Sequence, residues 1–481
     1  MRSGVGFDWG RRVMGGLLTL WLAGCGGAEA PELEPVAQAP GTGTAALAAD
    51  AVDIREQLEA IPGLTVLSDT FVDGFRFFIL DYDQPVDHRH PAGARFQQRM
   101  TLMHRDPAAP MVLDTEGTGL FTEPIPSEPA DLLQGNQLAV EHRFFGTSRP
   151  ARLDWSKLTI QQAAKDIHRV AQAFKPLYTG RWLSTGVFKG GTAALTHAYF
   201  FPNDTHAIVT YSAHHARGLT DERHARFVRN EAGDAACRRS LEAVQRATLM
   251  RRPAMLPFVQ ALEAEGFTFD VLGADRALEF AVLELPFRFW QFYGFAGTCA
   301  DIPSPDVSDA ELFGFVSYVS ELAFAFSDQG LAESAPLYYQ RATQLGGPRY
   351  PEAHLRSLLR YPGQDIATFF PPRGVLKFYE PWTMARVEHW VRYDAQRLLL
   401  IYGDQSPWSA SAFAVSAAND SYQVIASDSI GFYGTLSALP EPQRGFLLGR
   451  LSEWAGVPVQ PSAPGISARA RAADPRLPRS R

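Results

Sequence analysis

Several absences narrow the chain at once. Only three cysteines occur among 481 residues, no two of them in a Cys-x-x-Cys pair, and no His-Glu-x-x-His occurs; the usual zinc-binding patterns are therefore missing. The formal net charge of −7 offers no basic surplus for nucleic acid. Beyond the N-terminal segment no stretch is long and apolar enough to span a membrane, and no internal repeat stands out. Two further absences concern catalysis. No Gly-x-Ser-x-Gly occurs, and no histidine follows His389. What is present, 46% hydrophobic and 20% charged residues, suits one large or two medium globular domains with a sizeable core.

The chain is organised around Arg181–Ala194. Trp182–Val187 is apolar and extended in character, and Lys189–Ala198 is rich in small residues and helix formers. Between them lies Gly186-Val187-Phe188-Lys189-Gly190-Gly191. A strand turning sharply into a helix between glycines is the setting of a nucleophile elbow, which lifts one side chain above a sheet. Here that side chain is Phe188, which carries no nucleophilic atom.

In chain order, Arg11 and Arg12 precede a short apolar run, Val13–Ala23, that ends in Leu22-Ala23-Gly24-Cys25. This predicts a signal peptide over 1–24. Leu-Ala-Gly-Cys resembles a bacterial lipobox, which implies lipidation at Cys25; the alternative is a plain secretory signal with a chance cysteine. Glycines at 26 and 27 suit outer-membrane sorting. Residues 25–53 are rich in Ala, Gly, Pro and Thr and read as a tether.

Strands are expected at 75–82, 96–104, 110–114, 137–142, the elbow strand and 206–211, with an amphipathic helix over 159–174 whose apolar residues recur at helical spacing. This alternation predicts a mostly parallel sheet with helices on both faces over 54–217. It stops over 218–393, where the pattern is helical and aromatic. Strands return at 397–403 and 422–426, followed by a helix near 441–455, so 394–460 completes the sheet. The expected fold class is α/β, an α/β-hydrolase sheet with a large helical cap inserted after its sixth strand. Residues 461–481 read as a disordered basic tail, with five arginines from Ser467 onward. Cys237 and Cys299, both in the cap, either pair or remain buried thiols; exposure to an oxidising compartment permits the bond.

Several blocks together resemble the secreted bacterial tripeptidyl aminopeptidases, serine peptidases of the α/β-hydrolase fold. They are Leu113-Asp114-Thr115-Glu116-Gly117, Glu141-His142-Arg143-Phe144-Phe145, Ser148-Arg149-Pro150, Leu158–Asp166, Trp182–Gly191, Phe289-Trp290-Gln291, Tyr338-Tyr339-Gln340, and Tyr402-Gly403 with Pro407-Trp408-Ser409. The likeness covers about residues 60 to 455. It implies removal of tripeptides from free N-termini, with a cap that closes the cleft and no cofactor. Residue by residue, however, the family's catalytic positions differ. Phe188 stands at the serine of Gly-x-Ser-Lys-Gly-Gly, Ser406 at the acid of Asp-Pro-Trp-Ser, and Ile430 at the histidine of Asn-His-Gly. Independently of that likeness, a triad in this fold runs nucleophile, acid, histidine along the chain, and the lack of any histidine after His389 forbids that order.

Candidate binding residues are Glu116 and Glu141, which could meet a peptide amine or instead pair with Arg143 or Arg149. To these are added Gly117, in a loop able to offer backbone N–H groups as an oxyanion hole, and Lys189. The adjacent His214 and His215 read as loop or core residues. Three functions compete: an inactive peptidase homologue binding peptides or protein N-termini at the envelope, a weakly active or altered hydrolase, and a structural envelope lipoprotein. The implied partners are peptides and, through the anchor, a membrane, without nucleic acid.

Overall fold

The computed structural model describes residues 53–72, 74–294, 298–430 and 434–460. The expected signal peptide, Cys25, nearly all of the tether and the tail 461–481 lie outside these residues. The described strands are β1 (Leu64–Val72), β2 (Phe75–Pro85), β3 (Arg95–His104), β4 (Met111–Thr115), β5 (Asn136–Val140), β6 (Trp182–Val187), β7 (Ala207–Tyr211), β8 (Thr220–Asp221), β9 (Gly347–Pro348), β10 (Leu398–Gly403) and β11 (Tyr422–Ala426). Nine of them form one sheet in the order β1-β2-β3-β5-β4-β6-β7-β10-β11. The pairs β1–β2, β2–β3 and β3–β5 are antiparallel. From β5 through β11 every pair is parallel. This mostly parallel sheet flanked by helices is an α/β-hydrolase sheet.

The apolar runs of the parallel strands follow from burial on both faces. Successive side chains point to opposite sides of a strand. Thus Leu399 and Ile401 pack with Leu447, Leu451 and Trp454 of the helix Gln443–Ala455. Leu398 and Leu400 pack on the other side with Ala194, Leu195, Met384, Val387 and Val391. The helix Ile160–Phe174 starts where expected because the Thr159 side chain accepts from Gln162 N–H. Its stripe Ile167, Val170, Ala171 and Phe174 covers Leu80, Leu102, Leu113 and Leu138.

The helical insertion follows β7, and its residues from Phe227 to Phe370 build a core of their own. Cys237 and Cys299 are joined there by a disulfide, with Cα atoms 5.4 Å apart. Three sequence expectations change. The strand β1 was not foreseen, so the insertion follows the seventh strand in chain order rather than the sixth. An edge strand with a register shift between Val66 and Ser68 and mixed exposure shows no clean alternation. The cap also ends before residue 393. The helix Pro381–Tyr393 buries Met384, Val387 and Val391 against Ile208, Leu398 and Leu400, which places it on the sheet. Finally, the short parallel pair β8–β9 lies inside the insertion, where no strand was expected.

Candidate functional site

The turn from β6 into the helix Lys189–Phe200 has Phe188 at its apex with φ 51° and ψ −119°. A non-glycine residue with positive φ is uncommon, and for a bulky one it marks a strained site. The surrounding glycines permit the close approach this turn needs. A Cβ at Gly186 would come within 2.5 Å of the Gly190 carbonyl carbon, and one at Gly117 within 2.5 Å of Gly190 N. The loop after β4 is thereby pressed against the first turn of the elbow helix, whose N–H groups have no partners within the helix. The Thr115 hydroxyl fastens the two together, donating to the Gly190 carbonyl at 2.8 Å and the Thr185 carbonyl at 3.1 Å.

The Phe188 ring is half-buried, packed against the cap core, and 6.4 Å from the Trp408 ring. Val187, just before it, is 38% exposed. The floor beside the apex is therefore apolar and open to solvent. Ser406 and Ile430 lie on the loops after β10 and β11. Because β6, β10 and β11 are parallel members of one sheet, those loops leave the same edge as the elbow. The two loops also touch, since Gln405 N–H donates to the Ser429 carbonyl at 3.0 Å. Ser406 is completely buried and, among the described residues, its hydroxyl has no hydrogen-bond partner. Ile430 is completely buried too. Asp404, the neighbouring carboxylate, is held by the other loop, with Oδ1 accepting from Ser429 N–H at 3.1 Å.

Other serines are also tied down. The Ser184 hydroxyl donates to the Leu113 carbonyl at 3.3 Å inside the sheet. That of Ser429 donates to the Ser427 carbonyl at 3.1 Å. His389 sits on the helix Pro381–Tyr393, with its ring on Tyr393. His214 is different. Its ring stacks on Trp408 at 3.9 Å, one ring removed from Phe188. Its Nδ1 lies 3.2 Å from the Ser212 carbonyl, and burial pushes its pKa down to about 3, so it stays neutral. His215 packs instead on Phe413.

The candidate binding residues divide. Glu141 is a buried structural carboxylate, as one reading allowed, but neither Arg143 nor Arg149 is its partner. It accepts from Ser148 Oγ at 2.6 Å, Ser148 N–H at 2.9 Å, Leu120 N–H at 3.1 Å and Thr147 Oγ1 at 3.3 Å. Arg143 is engaged by Asp166 through a bidentate pair at 2.6 and 2.7 Å. Lys189 is likewise scaffolding rather than a presented ligand group. It is buried, its Nζ donates to the Gly117 carbonyl, and it lies 5.0 Å above the Phe145 ring. Burial holds its pKa well below the usual lysine value. Glu116 is half-buried and, among the described residues, forms no ion pair. Burial, Asp114 and Glu141 together raise its pKa well above the usual value. Asp114, missed in the sequence as a candidate, is raised to about 6 by burial. Its only sequence signal was membership of Leu113-Asp114-Thr115-Glu116-Gly117. The described residues hold no cluster of His, Cys, Asp and Glu arranged to bind a metal.

A family model, PS-10 peptidase S37, matches residues 47–478. The prolyl tri/tetrapeptidyl aminopeptidase of Streptomyces mobaraensis is 39% identical over 423 residues, covering 86% of this chain and 88% of that protein. Among solved structures, the proline iminopeptidase of Mycobacterium smegmatis covers 78% of this chain and 98% of its own at 13% identity, with a TM-score of 0.35. The peroxisomal α/β-hydrolase Lpx1 of Saccharomyces cerevisiae covers 84% and 96% at 10% identity, with a TM-score of 0.34. The fold assignment rests on the strand order and the elbow. With most of the chain matched by the family model and by a full-length relative, the protein belongs to the PS-10 peptidase S37 family, serine peptidases of the tripeptidyl aminopeptidase kind.

Proposed function

We propose that this chain is a catalytically silent member of its family, exported and held at the bacterial envelope through Cys25, that binds peptides or protein N-termini in the cleft between sheet and cap. The observation that carries this reading is the Phe188 side chain at the elbow apex. Acyl transfer needs an attacking atom there, and a benzyl group has none. The ring also fills space that a scissile carbonyl would need. Two further features agree. Ser406 cannot carry the charge that orients an imidazolium, and Ile430 cannot take a proton. His214 does not replace the base, because Trp408 stacks on its ring and the apex offers no hydroxyl to deprotonate.

A binding role is supported by what persists around the apex. The loop at Gly117 still meets the elbow helix, the floor at Val187 is open, and Glu116, which has no ion-pair partner among the described residues, is an acid whose ionised form a bound peptide amine would stabilise. Trp408 Nε1 is buried and, among the described residues, has no hydrogen-bond partner, and such a group is costly unless a ligand or solvent satisfies it. The name of the Streptomyces relative points to short N-terminal peptide segments as the ligand class.

The test compares wild type with Phe188→Ser alone and with Phe188→Ser, Ser406→Asp and Ile430→His combined, on tripeptidyl chromogenic substrates and with a fluorophosphonate probe. Wild type and the single variant should show neither turnover nor labelling. The triple variant should show both, since triad members act as a unit and the gain is strongly non-additive. Ready turnover by wild type would overturn the silent reading. A thermal-shift screen against tri- and tetrapeptides tests binding, because a ligand of the folded state raises its melting point. No shift with any peptide would count against the binding role.

A further inference from the structure

A second concave surface shares no residue with the elbow or with the loops bearing Ser406 and Ile430. It is a cleft of about 420 Å³ between the helix Glu222–Asn230 and the segment 349–353. That volume falls within the range of small-molecule sites. Arg226 and Arg229 stand three residues apart on the helix, so they share a face. Both are exposed and, among the described residues, form no ion pair. Arg349 lines the cleft from the other wall. Its neutralisation is loose, with Glu222 Oε1 3.8 Å from Nε and Glu352 Oε1 3.5 Å from Nη2. The second oxygen of Glu352 is committed to Gly363 N–H at 3.0 Å. Tyr350 and Pro351 add an apolar side to the same cleft.

Three arginines and two glutamates, Glu222 and Glu352, line this concavity, so it carries a net positive charge in a chain of net charge −7. A guanidinium presents a planar fork of donors that matches carboxylate and phosphate oxygens, and such pairs are stronger than neutral hydrogen bonds. We propose that this cleft is a binding site for a small molecule bearing a carboxylate or phosphate group, held by Arg226, Arg229 and Arg349 and separate from the peptide cleft.

Isothermal titration of the purified protein with inorganic phosphate, with citrate and with sodium chloride at matched ionic strength tests this. Phosphate or citrate should bind with one-to-one stoichiometry, and the tighter of the two identifies the preferred group. The Arg226→Ala, Arg229→Ala double variant should weaken that binding about tenfold or more, the loss expected for removing charge-assisted hydrogen bonds. Arg152→Ala, another exposed arginine, should leave it unchanged. Because both cleft arginines are exposed, the double variant should keep the wild-type melting point, which shows that it folds. The proposal is overturned if neither anion binds beyond the chloride control, or if the double variant binds as wild type does. Peptide binding and hydrolysis play no part in these readouts, so the outcome stands apart from the proposed function.

Discussion

Replacing Phe188 by glycine and by alanine separates the backbone of the elbow from its side chain. Both substitutions delete the ring and its packing against Trp408 and the cap, so that loss cancels between them. What differs is the backbone, which holds φ 51° and ψ −119°. Alanine must keep that conformation at a cost of about 1–3 kcal/mol, which glycine escapes. Against this, glycine loses roughly 0.5–1 kcal/mol more chain entropy on folding than alanine does. The difference leaves Phe188→Gly more stable than Phe188→Ala by about 0.5–2 kcal/mol. Urea unfolding of the two variants side by side, followed by circular dichroism, measures it. An exposed helical position supplies the control. Ala385→Gly, on the helix Pro381–Tyr393, should have the opposite sign and cost about 1 kcal/mol. If Phe188→Ala equals or exceeds Phe188→Gly in stability, the elbow does not carry the backbone strain inferred from its angles.

Glu141→Ala removes the acceptor of two backbone N–H groups and two hydroxyls, and should lower stability by about 2–4 kcal/mol, with Glu141→Gln costing less; chemical denaturation distinguishes them. His224 is buried, its Nε2 lies 2.9 Å from Ser411 Oγ, and burial lowers its pKa from 6.5 to about 4. Between those values the unfolded chain binds the extra proton, so this group's stabilisation is full above pH 6.5 and falls as the pH drops toward 4. At about 1.4 kcal/mol per pH unit, its share is at most about 3.5 kcal/mol. Asp114, raised to about 6, acts in the opposite sense. The slope must therefore be read as the difference between wild type and His224→Gln, which should be less acid-sensitive over this window by urea titration. The Cys237–Cys299 bond closes a sequence separation of 62 residues. Replacing both cysteines by alanine should cost about 2–4 kcal/mol, and mass spectrometry of the unreduced protein should show no free thiol at Cys237 or Cys299.

The legible parts of the fold were those written in a local period. The stripe of Ile160–Phe174, the apolar run of Leu398–Gly403 and the glycines around Phe188 each specify an element without help from distant residues. The strand β1 is different because its edge position leaves it a mixed face, and only pairing with β2 identifies it. The helix Pro381–Tyr393 was visible as a helix, but its allegiance was not. An amphipathic stripe states that a face is buried and leaves open whether sheet or cap buries it.

The same distinction runs through the candidate site. The missing histidine was readable because absence from the whole stretch after His389 does not depend on packing. Roles of residues that are present do depend on it. Glu116 and Glu141 are alike in sequence, each an acid beside a motif glycine or histidine. In the folded chain, Thr147, Ser148 and Leu120 occupy Glu141, while Glu116 lies beside Asp114 with no ion-pair partner among the described residues. Lys189, one residue beyond the apex, could have faced the cleft or the interior. The approach of Gly117 to the elbow helix decides this, because that carbonyl gives Nζ an acceptor beneath the surface. Chemistry was therefore predictable where it hung on which atoms exist, and required coordinates where it hung on which hydrogen bonds are already made. Phe188 belongs to the first kind, so the case for a silent elbow rests on an atom that no rearrangement of the loops can supply.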